Sequence, residues 1–392
     1  MPFVGLLTFT PWEENLYGHV DHYLVLSYAI HLIIIFGIIL LFLKKINPKI
    51  DFSYTPDISP KKVSSVLNKS LITLVILICI ELFVFGAINI ISGVTSRGDF
   101  RTTLGVFGFF YNAVTMFLPA GIIVLASIYY KLSDRRKKFK YKLLLIYILA
   151  LSIGVFTGFK YTALLITSAG LVQMSNYIKI RQLVFIGSLF LGLMTFSAFY
   201  FMRMDDGAIA LQYVFARATS VAVEGTVGVY NVFPEGGNDA WMNLLYAFGN
   251  KIASVLTGYS VTDPEFLKVN LTRYIGYMTY PKADEALSGA FNLTVTNFGE
   301  GVYYFGKYYY FIYSFITGTI VGYIIYKFFR TRHNDMIIFH TMINVYMMVV
   351  VFPWLMGGMI ANLFGIPTIV YMIILYVVLK FIHAEIIIRN KS

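Results

Sequence analysis

The chain has 392 residues, 58% of them hydrophobic and only 13% charged, with a mean hydropathy of +0.72 and a formal net charge of +11. That balance excludes an ordinary soluble globular protein. The charge could suggest nucleic acid, but the basic residues are distributed by side of a membrane, so no nucleic-acid partner is expected.

The apolar residues come in runs of about 20, enough to cross a hydrocarbon core of roughly 30 Å as helices, and they lack the period-2 alternation of a barrel strand. The expectation is an all-α polytopic membrane protein. In chain order, nine runs read as transmembrane helices: residues 23–43, 71–93, 104–130, 143–157, 161–176, 183–202, 302–326, 336–356 and 363–383. The opening MPFVGLLTFTPWEEN has no basic leader region and too short an apolar stretch for a signal peptide, which leaves targeting to the spans. Lys44 to Ser70, with three prolines and mixed charge, reads as a solvated linker. Cys79 is the only cysteine and falls within the second run, which excludes an intrachain disulfide.

With the N-terminus placed outside, the inner segments hold 21 of the 31 basic residues, and the outer segments keep ten against fourteen acids. One side is strongly positive and the other mildly negative. The chain divides into N-terminal helices (1–202), one long outer segment (203–301) and C-terminal helices (302–392), forming one integral membrane domain overall.

The outer segment is far longer than bundle connections usually run, and loops of that size tend to carry function. PEGGND, TDPEF and YPKADEALSG divide it into short helical pieces. In WMNLLYAFGNKIASVLTG, Trp241, Leu244, Leu245, Phe248, Ile252, Val255 and Leu256 recur at helical spacing. Such a helix either lies along the lipid surface or caps the bundle.

Several outer cations sit beside spans or on apolar loop helices: Arg97 and Arg101 in TSRGDFR, Lys160 in TGFKYT, Arg203, Arg217 in VFARATS and Arg273 in LTRYIGY. Each could simply snorkel or pair with an acid, yet a planar guanidinium also suits phosphate. Lys160 runs against the charge rule in a tight outer turn, which favours a functional role. Asp99, between two of the arginines, could hold one of them in place or meet a substrate hydroxyl.

Glu81 lies near the middle of the second run, where an ionisable group is expensive; it reads as functional, paired with an inward-reaching cation, or hydrogen-bonded as the neutral acid. Glu300, between Gly299 and Gly301 in VTNFGEGVYYFGKYYY, reads either as a first-turn acid at a helix N-terminus or as a general base, with glycines that admit a substrate closely. A base role predicts that Glu300→Gln abolishes activity and leaves the protein's abundance intact. Tyr303 and Tyr304 fit an interfacial aromatic belt and could stack on sugar rings. None of the six histidines lies in the long segment, so a histidine base from that loop is excluded, and His19 with His22 lack a third ligand for a metal.

With these residues the chain resembles the Wzy-type O-antigen and capsular oligosaccharide repeat-unit polymerases of bacterial inner membranes. The resemblance lies in TSRGDFR after an early span, the TGFKYTALL turn, a long loop with Arg217 near its start, and the exit FNLTVTNFGEGVYYFGKYY with its small-residue, Glu, aromatic, Phe-Gly pattern. Together these motifs span residues 90–310. The resemblance implies a GT-C-like helical bundle in the inner membrane with its N-terminus and long loop periplasmic. There a growing glycan on undecaprenyl diphosphate would be transferred to a second lipid-linked repeat unit without a metal cofactor. It further implies a diphosphate-binding set of Arg97, Arg101, Lys160, Arg217 and Arg273, with Glu300 as base and Asp99 behind it. Tyr303 and Tyr304 would contact sugar, and a chain-length regulator protein would join the donor lipid, the acceptor lipid and membrane lipids as partners. An O-antigen ligase would rely on a loop histidine that is missing, and a flippase would carry charges along a central path.

Overall fold

The computed structural model describes residues 6, 11–46, 58–92, 104, 108–133, 136–156, 160–174, 188, 191–192, 195–196, 199, 206–218, 223–279, 283–288, 292–331 and 336–384. Among them every regular element is helical, and seven helices are long and apolar enough to cross a membrane. The protein is an all-α polytopic membrane protein. The seven are α1 (His22–Lys44), α2 (Pro60–Val84), α3 (Gly108–Lys131), α4 (Arg136–Phe156), α11 (Asn297–Arg330), α12 (Ile337–Gly357) and α14 (Ile366–His383). The expected span at 161–176 corresponds to α5 (Lys160–Met174), and residues 175 and 176 lie outside the described residues. Most of 183–202 lies outside the described residues.

The helices group into two compact units that do not follow chain order. One comprises Pro48–Arg203, Lys327–Val349 and Val370–Ser392. Its α2 begins well before the expected 71, inside the stretch read as a linker, because Ser59 accepts the Lys62 amide at 3.3 Å and Pro60 takes the first helical position. Val63, Val66 and Leu67 are buried on the early turns, so apolar spacing as well as the cap signals the start. α3 is enclosed over Leu118–Tyr129, and α4 and α5 pack beside it. Two widened π-turns interrupt these spans, at Ile80–Val84 in α2 and Ala113–Phe117 in α3. Glu81 sits in the first, fully buried, and neither carboxyl oxygen has a hydrogen-bond partner among the described residues. The inward-reaching cation expected for it is not among them.

The other unit comprises Met1–Asn47, Met204–Tyr326 and Val350–Ile369. The long segment folds here as α6 (Gly207–Ala218), α7 (Glu224–Val232), a 3₁₀ helix (Ala240–Phe248), α8 (Asn250–Thr257), α9 (Leu271–Thr279) and α10 (Ala283–Ser288). It is no separate domain. Val223 and Val227 at α7, Leu271 and Ile275 of α9, and Leu293 and Val295 share one core with Leu24 and Tyr28 of α1 and with Phe298 and Val302 of α11. Burying that apolar surface once, against span heads, is what sets the grouping.

Candidate functional site

The site is built where the long segment enters α11. That helix does not run straight for its 34 residues: Gly306 is non-helical, at φ 74° and ψ 171°. In a straight helix Asn297 and Thr317 would lie about 30 Å apart. Instead the Thr317 hydroxyl donates to Asn297 Oδ1 at 2.9 Å, so the head of α11, residues 297–305, doubles back along the turns that follow the break.

The break is held by the PEGGND turn. An unbroken helix would pair the Lys307 amide with the Tyr303 carbonyl; here Lys307 donates to the Pro234 carbonyl at 2.9 Å, and Gly237 donates to the Tyr303 carbonyl at 2.8 Å. A turn is thus inserted into the helical ladder and both freed groups are satisfied. A side chain at Gly306 would meet the Glu235 carbonyl carbon at 2.9 Å, on a backbone conformation that favours glycine.

Reversal brings Glu300 to Tyr313, thirteen residues on. Glu300 is 0% exposed. Its Oε2 accepts from the Tyr313 hydroxyl at 2.6 Å and from Trp354 Nε1 at 2.9 Å, and its Oε1 accepts from the Ile360 amide at 2.6 Å. Ile360 is aimed by a strained turn: Gly358 and Met359 both have positive φ, 68° and 70°. A non-glycine residue in that region is uncommon and tends to mark a site that overdetermines it. Among the described residues no cation pairs with Glu300; its charge is met by three fixed donors instead.

The flanking glycines have a different cause from the one expected. Cβ atoms would meet the Thr226 backbone at 3.1 Å from Gly299 and the Tyr313 side chain at 3.0 Å from Gly301. They admit neighbouring helices rather than a substrate. A general base must reach within hydrogen-bond distance of the proton that it takes. In this arrangement Glu300 is fully buried and both of its oxygens already accept hydrogen bonds from within the unit.

Tyr303 is fully buried, its ring edge-on to Phe233 at 5.2 Å, and its hydroxyl has no partner among the described residues. Tyr304 stacks on Tyr313 at 5.8 Å. Its hydroxyl lies near the buried amide of Asn243 and has no hydrogen-bond partner among the described residues. Tyr304 and Asn243 thus lie near Glu300 inside the unit, and the side-chain polar atoms of Asn243, like the two tyrosine hydroxyls, have no hydrogen-bond partner among the described residues. The Tyr303 ring is too enclosed to stack on a sugar as it stands, whereas Tyr304 is only part-buried.

Arg273 closes a different structure. Its Nε donates to the Ala286 carbonyl at 3.1 Å and its Nη2 to the Leu287 carbonyl at 2.5 Å, which caps the C-terminus of α10. Burial lowers its pKa, but a guanidinium remains charged. Arg97, Asp99 and Arg101, like Arg203, lie outside the described residues. Lys160 opens α5 and Arg217 lies in α6, but the side chains of both are also outside them. Of the expected set, the structure brings Glu300, Tyr303 and Tyr304 together and commits Arg273 to α10.

Sequence reasoning missed Trp354, Tyr313 and the 358–360 turn. The Gly357-Gly358 pair was a readable turn signal; nothing local tied it to Glu300, 58 residues earlier. No protein-family model, curated protein or solved structure matches the chain.

Proposed function

We propose that the chain is a Wzy-type repeat-unit polymerase. It would transfer a glycan from undecaprenyl diphosphate to the terminal sugar of a lipid-linked repeat unit at the periplasmic face of a bacterial inner membrane, on a GT-C-like bundle of nine spans. The resemblance over residues 90–310 supplies the reaction, and the excess of inner basic residues supports the orientation. The observation that carries the reading is that the described parts of the hundred-residue segment are folded into the heads of α1 and α11, with the buried Glu300 at the junction.

In the reaction the acceptor hydroxyl oxygen attacks the anomeric carbon. The bond from that carbon to the diphosphate oxygen breaks, and the bonding pair leaves with the diphosphate. Arg97, Arg101, Lys160 and Arg217 receive that charge, as fixed cations do best where charge develops. We assign Glu300 to positioning, since its oxygens hold the α11 reversal and the 358–360 turn, and the acceptor proton then goes to Asp99. Arg273 orders α9 and α10 within the long segment.

Deleting the gene in the organism that carries it tests this reading. A polymerase predicts glycans of a single repeat unit on the cell's lipid. Full-length chains, or a complete loss of lipid-attached glycan, would point to another step.

A further inference from the structure

The 3₁₀ helix Ala240–Phe248 and α8 are amphipathic the wrong way round for a water-facing cap. Asn243 is 0% exposed, while Trp241, Leu244 and Phe248 point outward from the same helix. After the Gly249 break, Ile252, Val255 and Leu256 form an i, i+3, i+4 stripe on α8, with Val255 82% exposed. The inward faces are already filled: Met242 and Ala253 pack with Phe266 and Val269 in a small core of their own. The outward apolar residues are therefore surplus to folding the segment.

The position of this element says what covers it. The connection 358–365, which carries the one-turn helix α13 (Ala361–Phe364), joins α12, which ends at Gly357, to α14, which begins at Ile366. Because both flanking helices cross the membrane, that short connection lies at the membrane surface. The 3₁₀ helix packs directly on it: a Cβ at Gly365 would lie 3.3 Å from the Ala247 carbonyl oxygen. Phe364 and Ile366, at the same level, are also exposed. Trp and Phe are suited to that depth, and Lys251, exposed at the edge of the stripe, is placed to meet an anionic headgroup.

We infer that residues 241–256 form a membrane-surface strap whose occupant is the acyl and headgroup boundary of the leaflet on the side of the long segment. The inference rests on the chain crossing a membrane and not on the polymerase reading. The strap ties the segment to the bilayer beside the 358–365 connection, so that the segment meets lipid-borne material in the plane of the membrane.

Spin labels test this in the full chain with Cys79 replaced by alanine, reconstituted in vesicles of phosphatidylethanolamine and phosphatidylglycerol. Ile252→Cys, Val255→Cys and Leu256→Cys should carry labels that collide freely with molecular oxygen and lose collisions with a water-soluble nickel complex. Asn250→Cys and Lys251→Cys should show the opposite preference. All five positions are exposed, so the substitutions leave the core intact. Nickel-accessible labels at 252, 255 and 256 would overturn the inference in favour of a water-facing surface. Labels there shielded from both reagents would overturn it in favour of a protein partner.

Discussion

Glu300→Gln should lower the thermal unfolding midpoint of the detergent-solubilised protein by on the order of 5 °C, the equivalent of about 3 kcal/mol. A glutamine has one acceptor oxygen where the carboxylate has two. Turned one way, its NH₂ faces the Ile360 amide, a pure donor; turned the other way, it faces Trp354 Nε1, also a pure donor, and the Tyr313 hydroxyl, which would have to rotate and give up its own donated bond in order to accept. A buried donor left facing a donor costs its full desolvation, with nothing regained. Tyr313→Phe should cost less, about 1 kcal/mol, because the carboxylate keeps two of its three donors. Combined with Glu300→Gln it should be clearly non-additive, as expected for residues sharing one network. A base exposed to substrate predicts lost activity without lost stability; the buried cluster predicts that both fall together. Wild-type stability in Glu300→Gln would count against the positioning role.

Gly358→Ala should be at least as damaging, by about 4 kcal/mol, while Gly357→Ala next to it should change stability by less than about 1 kcal/mol. Gly358 has φ 68° and ψ −157°, a region open essentially to glycine alone. A methyl group there would also lie 2.6 Å from the Val295 carbonyl oxygen. Relieving that clash means moving the turn that aims the Ile360 amide at Glu300. At Gly357 the added Cβ meets nothing within 4 Å, and the backbone is not in the left-handed region. Comparing the two midpoints separates a requirement at one residue from a general sensitivity of the turn.

The class of the protein and most of its spans were legible because hydropathy over some 20 residues is a sum, and a sum survives local errors. The start of α2 was legible too, in Ser59-Pro60, but the surrounding lysines concealed it. The reversal at Gly306 was not. FGKYYY interrupts a run of aromatic and apolar residues with one glycine, which a helix tolerates at a cost of about 1 kcal/mol. Only the distant Pro234–Gly237 turn, which supplies the missing hydrogen bonds, makes a break there stable. Glu300 stood out as an acid between glycines. Its partners arrive from 13, 54 and 60 residues further along the chain, and no periodicity joins them. The apolar stripe after Trp241 was visible as spacing, but whether it faced core or surface depended on which side Asn243 took, and tertiary packing decides that.

The most direct test of the central proposal is chemical. Purified protein in lipid vesicles is supplied with an undecaprenyl-diphosphate-linked oligosaccharide repeat unit from the same organism, and the lipid-linked products are resolved by size. The account predicts a ladder of glycans differing by one repeat unit, with free undecaprenyl diphosphate released at each step. Repeat units recovered unextended, or moved across the bilayer without being joined, would contradict it.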